Sequence, residues 1–398
     1  MSQQLFLCKS PARAQTWEGK CFANSCRVCC VTLLLSLSMA SFGAPAIKTQ
    51  QCSVKPTGHF ELPGDIALSV ANRNNTVTTY ISPQPWTVEN PPGWLTGPPA
   101  LNLGGSATGL SLVSKNIHAG LSGDDNGHLY VVNPGLQTVT VYRDDATSNT
   151  SPLVTIRTAD GLSQPSGLAV RSLADGSILL YVANTGNSSI SAYVVTFDAL
   201  AGAHYLRLSL ATPAGLSAPL GLAINDTGSL LYVANKGSNK IGVYATGLSA
   251  SSATLTPVPI TAPLASLSGP MDVALSPSGN VLYVANSGKY NGWYNVTAYQ
   301  LDANGVPLAQ PVAVISGNAT GLCNPAALVA GHSVNGDNFL AVANRESSGG
   351  SITFYRLNPG GLPANPPIAT SDPTNIPPEV MMLHDSINLL GAPVGISF

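Results

Sequence analysis

The chain has 398 residues, a formal net charge of −2 and only 9% charged residues, against about 25% in a typical soluble domain. Hydrophobic residues make up 44%, so Ser, Thr, Asn, Gly and Pro must form most of the polar surface. The sequence has no basic cluster beyond its N-terminus, which argues against the cationic groove that nucleic-acid binding requires. A closed array of repeats accommodates this length as a single domain.

The N-terminal segment has the order of a signal peptide. Basic residues precede an apolar run at 28–40, and small residues follow it. The run is shorter than the roughly 20 apolar residues of a membrane-spanning helix. We therefore expect residues 1–40 to be a signal peptide cleaved near Ala40 or Gly43, and residues 41–62 to be a lead-in segment. The mature protein would be exported to the periplasm or the extracellular space without a stable membrane span. An uncleaved anchor is the alternative.

Cysteine usage agrees with export. Five of the seven cysteines lie in this leader, which leaves Cys52 and Cys323 in the mature chain. An even pair in an exported protein permits one disulfide, whereas two cysteines cannot build a zinc site. We predict a Cys52–Cys323 disulfide that ties the lead-in segment to the loop before the sixth repeat.

A recurring hairpin organises the rest of the chain. Its clearest copy is Leu230–Tyr244, LLYVANKGSNKIGVY, in which two strands with alternating apolar residues flank a Gly-containing turn. Each copy ends its first strand on an Asn and its second strand on a Tyr. The Asn residues are Asn72, Asn133, Asn184, Asn235, Asn286 and Asn344. We expect the Asn side chains to bond nearby backbone and the Tyr rings to fill the space between adjacent sheets.

The spacing of the repeats predicts the fold. Four strands in about 50 residues is the period of a propeller blade. The central repeats begin with Pro-led strands at Pro165, Pro219 and Pro270, and the second repeat is expected to begin at ATGLSLV, residues 107–113. The first repeat lacks such a strand, while the chain ends on one, APVGISF. We therefore predict that residues 63–398 form an all-β, six-bladed β-propeller, closed by pairing of the N- and C-terminal strands in one blade.

The LYVAN hairpins behind Pro-x-Gly-Leu-Ala-Val strands resemble NHL and YVTN-type β-propeller repeats. The resemblance covers about residues 60–398. It implies the propeller fold and is typical of secreted and periplasmic binding proteins and scaffolds. Similar six-bladed rings include calcium-dependent lactonases and an amidating lyase, which the resemblance leaves as an alternative.

The openings of the innermost strands are the first candidate site, because propellers bind ligands at the mouth of the central channel. In register these positions are Gly109, Gly167, Gly221, Asp272, Ala327 and Gly395. Only Asp272 is ionisable, and a lone acid there is more often a structural carboxylate than a catalytic one. The six histidines are scattered without metal-binding spacing. We assign no catalytic residue, no metal and no cofactor, because a hard cation would need several carboxylates.

Loops that interrupt the repeat are the second candidate site. Trp86 and Trp94 lie in one insertion, and Tyr290 and Trp293 lie in another. Exposed Trp and Tyr on insertions suit a protein, peptide or glycan ligand. The alternative is that these aromatic rings pack each loop onto its own blade.

The sequence therefore favours an exported, monomeric propeller that acts as a binding or scaffolding protein for a protein, peptide or glycan ligand, rather than an enzyme. The alternative is a metal-dependent lactonase, hydrolase or lyase of the six-bladed type. Stoichiometric calcium, together with lactone hydrolysis that depends on Asp272, would favour the enzyme.

Overall fold

The alternating apolar pattern produces β-strands throughout the described part of the chain. A computed structural model describes residues 67–81, 99–112, 118–198, 202–317, 320–332, 338–346, 349–363, 380–384 and 393–397. All of them belong to the unit Lys48–Phe398. They form six antiparallel sheets of four strands each. Within these residues, no helix is long and apolar enough to span a bilayer.

The strands follow one another blade by blade. Blade 1 contains β1 (Ala67–Asn72), β2 (Thr76–Ile81) and β3 (Leu101–Leu103), and blade 2 contains β4 (Leu121–Gly123), β5 (His128–Asn133), β6 (Thr138–Arg143) and β7 (Val154–Ile156). Blade 3 contains β8 (Pro165–Ser172), β9 (Ile178–Asn184), β10 (Ser189–Asp198) and β11 (Gly202–Leu208). Blade 4 contains β12 (Pro219–Ile224), β13 (Leu230–Asn235), β14 (Lys240–Leu248) and β15 (Ala253–Val258).

The remaining strands complete the ring. Blade 5 contains β16 (Pro270–Leu275), β17 (Val281–Tyr290), β18 (Trp293–Gln300) and β19 (Ala313–Ser316). Blade 6 contains β20 (Pro325–His332), β21 (Asn338–Glu346), β22 (Gly349–Leu357) and β23 (Val380–His384). The last strand, β24 (Pro393–Ser397), belongs to blade 1. Two short 3-10 turns lie at Thr158–Asp160 and Lys236–Ser238.

Blade 1 is assembled from both ends of the propeller. Its strand order is β24-β1-β2-β3, and Val70 pairs with Ile396 in an antiparallel register. The predicted six-bladed propeller, closed by its terminal strands, is therefore confirmed. Closure matters physically because an unpaired strand edge would expose a row of free N–H and C=O groups.

The hydrophobic core lies between the blades. Each of six clusters joins two neighbouring blades. In one of them, Leu68 and Tyr80 of blade 1 pack with Phe339 of blade 6. In another, Ala71 of blade 1 packs with Leu129 of blade 2. Every blade therefore depends on both of its neighbours.

The repeated tyrosines are structural, as the sequence predicts. Ten of them are almost completely buried. In blades 2–6 the closing Tyr donates its hydroxyl hydrogen to a backbone carbonyl that precedes the inner strand of the same blade. The pairs are Tyr142–Thr108, Tyr193–Asp160, Tyr244–Ala214, Tyr299–Ala265 and Tyr355–Thr320. Each pair fixes the segment that leads into the inner strand.

The repeated asparagines hold the same segment from its other side. In blades 2–6 the Oδ1 atom of each Asn accepts a hydrogen bond from the backbone N–H of a residue well upstream. These hydrogen bonds therefore span more of the chain than the local bonds expected of a turn residue. The pairs are Asn133–Ser111, Asn184–Ser163, Asn235–Ser217, Asn286–Ser268 and Asn344–Cys323. Asn and Tyr together clamp a short Gly-Leu-Ser-like segment in front of each inner strand.

This clamp corrects the predicted start of blade 2. Residues 107–113 were expected to be its inner strand, but Thr108 and Ser111 belong to the clamped segment. The inner strand is β4, in which Leu121 pairs with Val131. In blades 3–6 a Pro follows the clamped residue two positions later, whereas His118 follows Ser111 after seven. Because of this longer connection, the register predicted for blade 2 was wrong. Gly109 therefore does not lie at the channel.

Candidate functional site

The six inner strands approach one another closely at their first residues. The equivalent register positions of the six inner strands at this level are Gly120, Gly167, Gly221, Asp272, Ala327 and Gly395. The N–H of Gly120 donates to the carbonyl of Ser166 in the next blade at 2.6 Å. A Cβ at Gly167 would collide with the carbonyl of Leu220, so glycine is required there by the close backbone contact. The inner strands therefore narrow the channel at this level.

Asp272 is the single carboxylate in this ring of positions. It lies in β16 and is 7% exposed. Its Oδ1 accepts the N–H of Val273 and its Oδ2 accepts the N–H of Leu328 from blade 6, both at 3.0 Å. Burial raises the pKa of Asp272, while the charge of His118 and the two backbone N–H groups lower it. The carboxylate is thus held in one orientation by two strands.

His118 faces Asp272 across the channel. Its Nε2 lies 3.7 Å from Oδ1 of Asp272, and its Nδ1 lies 3.1 Å from the carbonyl oxygen of Ala326. A carbonyl oxygen only accepts hydrogen bonds, so Nδ1 carries a hydrogen and Nε2 is directed to the carboxylate. The imidazole is 4% exposed. The structure therefore holds a buried imidazole–carboxylate pair in the middle of the ring.

Sequence patterns alone did not single out His118. It occupies the position that Pro165, Pro219 and Pro270 hold in later blades, one residue before the inner-strand Ala-Gly-Leu. The available signal was the tetrapeptide His-Ala-Gly-Leu in place of Pro-x-Gly-Leu. That signal was hidden because the Gly-Leu-Ser clamp of blade 2 resembles an inner strand.

A cavity of about 290 Å³ adjoins the pair. His118 and Asp272 form one end of it, and Asp226 and Pro277, in the turns that follow two inner strands, form the other. Its walls include Leu168, Leu222, Val273, Leu275, Leu328 and Ile396. Because the pair is buried and Asp226 is exposed, the cavity is closed at the pair and open at the turns. Its volume is close to the lower limit for ligand sites, about 300 Å³.

The donors in this cavity do not fit a hard cation. Calcium takes six to eight oxygen ligands, several of them carboxylates. Among the described residues, no cluster of three or more His, Cys, Asp and Glu side chains forms a metal site. Asp272 is the single carboxylate among the inner-strand positions, and one lone pair on each of its oxygens is used by a backbone N–H group. The groups available for chemistry at this site are therefore the imidazole of His118 and the carboxylate of Asp272.

The two aromatic candidates that the structure describes, Tyr290 and Trp293, lie away from Asp272. In blade 5, Asp272 pairs with Ala285, whereas Tyr290 pairs with Trp293 at the far end of the β17–β18 hairpin. Tyr290 is 42% exposed and Trp293 is half-buried. Trp86 and Trp94 lie outside the described residues.

Cys323 is disulfide-bonded. It lies directly before the inner strand of blade 6 and donates its backbone N–H to Asn344. Cys52 lies outside the described residues, so the Cys52–Cys323 pairing stays a prediction.

Comparison with known proteins places part of the chain beside a lactonase family. The model of the family described as "Lactonase, 7-bladed beta-propeller" matches residues 118–263, less than half of the chain. The match begins at His118 and spans blades 2–4. The described residues contain six blades rather than seven. No curated protein matches the sequence.

Several solved propellers are similar at low identity. A putative 6-phosphogluconolactonase from Bacteroides fragilis is 15% identical, with 85% of each chain covered and a TM-score of 0.47. One from Bacteroides uniformis is 13% identical, with 86% of this chain and 87% of that chain covered and a TM-score of 0.48. The periplasmic gluconolactonase of Pseudomonas aeruginosa is 18% identical, with 81% and 79% covered and a TM-score of 0.45.

These findings correct the function expected from the sequence. A binding or scaffolding role was favoured because the predicted register placed one isolated acid at the channel. The match to a lactonase family overturns that expectation and supports the enzymatic alternative. The physical reason for the error is the misplaced blade 2, which removed His118 from the channel and left Asp272 without its partner.

Proposed function

We propose that this protein hydrolyses lactones in the channel cavity, with Asp272 and His118 as its catalytic residues. The observation that carries the proposal is the buried pair at the closed end of the cavity, in a chain whose blades 2–4 match a lactonase family. Asp272 lies beyond the matched residues, so its role is argued from the geometry. The cavity accommodates one small ring rather than a polymer.

The two groups have different roles. The raised pKa of Asp272 brings it closer to the working pH of a general base. Asp272 removes a proton from water as the water oxygen adds to the lactone carbonyl carbon. His118 acts as the imidazolium: its Nδ1–H stays bonded to the carbonyl of Ala326, and its Nε2–H donates to the developing oxyanion. The ring C–O bond then breaks, and the proton held by Asp272 passes to the leaving oxygen, which yields a hydroxy acid.

The test is hydrolysis of a lactone panel by the purified mature protein, measured as acid release above the spontaneous rate. The panel contains glucono-1,5-lactone together with alkyl-substituted five- and six-membered lactones. We expect Asp272→Asn and His118→Gln each to reduce kcat/KM by roughly 100-fold or more, in the range of a lost general base. Activity that is absent from the wild type, or unchanged in both folded variants, would overturn the proposal.

A matched control is available on the surface. His204 and Asp198 form a second imidazole–carboxylate pair at 3.5 Å, but both side chains are about half exposed. His204→Gln removes the same kind of group outside the cavity and should leave the rate unchanged. Treatment with a chelator should also leave the rate unchanged, because the donors of the cavity do not fit a hard cation.

We further propose that the enzyme is exported as a monomer after removal of residues 1–40, with residues 41–62 as a lead-in and residues 63–398 as one propeller domain. The repeat hairpins are proposed to be of the NHL/YVTN type. The basic and apolar order of the leader supports export, and the LYVAN sequences support the repeat type. N-terminal sequencing of the exported protein tests the cleavage site.

A further inference from the structure

Three cations occupy one repeated position of the propeller. Arg73, Lys236 and Arg345 each directly follow the repeated Asn that ends the first strand of the hairpin in their blade. That Asn pairs with the first residue of the inner strand, as in Pro219–Asn235 and Pro325–Asn344. The cations therefore lie at the end of the channel where the inner strands begin. The lactone cavity extends the other way, to the turns where these strands end.

Arg345 lies within electrostatic range of both Lys236 and Arg73. Burial, and then the charge of Arg345, lowers the pKa of Lys236. Burial, and then the charge of Arg73, lowers the pKa of Arg345. The Nζ of Lys236 is 3.3 Å from Sδ of Met271, which directly precedes Asp272. Lys236 and Arg345 are half-buried and Arg73 is exposed. The shared register position places these cations at the end of the channel where the inner strands of blades 1, 4 and 6 begin.

No carboxylate among the described side chains compensates this charge. The ion pairs of the described residues involve other groups, and the nearby Asp272 is paired with His118. Like charges that share a half-buried site repel one another, because the local dielectric is lower than that of water. An anion bound among them would remove this repulsion and form charge-assisted hydrogen bonds.

We propose that Arg73, Lys236 and Arg345 form a binding site for a compact oxyanion, such as a phosphate group, at this mouth of the channel. The planar guanidinium groups supply paired donors that match phosphate oxygens, and the ammonium of Lys236 adds a compact charge. The site lies at the opposite end of the channel from the lactone cavity. It does not rest on the proposed hydrolysis, and its test reads binding rather than activity.

The experiment is titration of the mature protein with inorganic phosphate, followed by calorimetry and by the melting temperature, against sodium chloride at matched ionic strength. We expect saturable binding and a rise in melting temperature with phosphate alone. Lys236→Gln and Arg345→Gln should each weaken phosphate binding by roughly ten-fold or more, the effect of one lost charged hydrogen bond. Lys240→Gln is the matched control, because Lys240 is an exposed cation four residues further along the same hairpin.

Folding of the variants is checked without phosphate. Removal of one repelling cation should leave the melting temperature equal to or above that of the wild type. Arg73→Gln gives a second check, because this side chain is exposed and its loss should weaken phosphate binding without disturbing the core. Absence of saturable phosphate binding by the wild type, or the same affinity in the Arg345 variant and the Lys240 control, would overturn the proposal.

Discussion

The Nε2 atom of His118 in blade 2 lies 3.7 Å from the Oδ1 atom of Asp272 in blade 5, so one buried imidazole–carboxylate pair links opposite sides of the ring. Neither residue is near the other in the sequence, and each is fixed by backbone contacts to blade 6 through Ala326 or Leu328. The pair is therefore rigid as well as buried. Its charge state couples the stability of the propeller to pH.

The first prediction concerns that coupling. Burial raises the pKa of Asp272, and the charge of His118 opposes the rise. A carboxyl with a raised pKa stabilises the fold while it is protonated, and this contribution is lost as the pH rises through its folded pKa. In His118→Gln the opposing charge is gone, so the variant should be destabilised by about 3–5 kcal/mol at neutral pH and by less in acid. Thermal unfolding across pH measures the difference.

Two variants complete this experiment. The double variant His118→Gln/Asp272→Asn should regain most of the lost stability, because no unpaired charge remains buried. The surface variant His204→Gln should change stability by less than about 1 kcal/mol at every pH, as is typical of exposed pairs. Equal destabilisation of His118→Gln in acid and at neutral pH would contradict the charge coupling.

The second prediction concerns the Asn clamp. Asn184 is fully buried, accepts the N–H of Ser163 at 2.9 Å and donates to Ser191 at 2.9 Å. Asn184→Ala leaves the N–H of Ser163 without its acceptor, while the hydroxyl of Ser191 keeps its bond to the carbonyl of Gly161. One unsatisfied group costs about 1–3 kcal/mol. Chemical denaturation should show this loss. Asn187→Ala in the exposed turn of the same hairpin should be within about 0.5 kcal/mol of the wild type, and similar losses in both variants would contradict the clamp.

The fold could be predicted well from the sequence because the repeat consists of local residue patterns. Alternating strands, the closing Asn and Tyr, and the orphan strand at residues 392–398 together fixed the number of blades and the closure. The site depended on register, which a five-residue difference in the connection from Ser111 to His118 concealed. No local pattern records that His118 and Asp272 meet across the channel, because only the closed ring brings blades 2 and 5 face to face.

The third prediction concerns alkaline pH. Burial raises the pKa of the interblade tyrosines Tyr142, Tyr181, Tyr193, Tyr232 and Tyr299 to about 12. The folded protein keeps these protons after the unfolded chain has lost them near pH 10. Stability should therefore fall as the pH rises from about 10 through 12. Tyrosinate absorbance and circular dichroism should change together in one cooperative transition. Gradual ionisation of these tyrosines with intact β-sheet signal would contradict the prediction.

The fourth prediction concerns the disulfide. Cys323 is disulfide-bonded next to the clamp of blade 6, and Cys52 is its expected partner. Peptide mapping of the exported protein under non-reducing conditions should find a single cross-link between the two. Cys52→Ser should lower stability by up to about 4 kcal/mol, the chain-entropy value for a long loop. Free thiols at both positions in the exported protein would end this assignment.

The last prediction concerns closure of the ring. Val394 and Ile396 of β24 are 1% and 5% exposed and contribute to the clusters that join blade 1 to blades 2 and 6. Deletion of residues 393–398 removes both contacts and leaves an edge of β1 unpaired, so the truncated protein should aggregate or melt well below the wild type. Ile396→Ala isolates the packing contribution and should cost about 2–5 kcal/mol. Leu206→Ala, on a side chain that is 53% exposed, should cost less than about 0.5 kcal/mol.

Addition of the synthetic peptide APVGISF to the truncated protein should restore its melting temperature, because the missing strand can pair with β1 in trans. A truncated protein that melts like the wild type would show that the ring closes without β24.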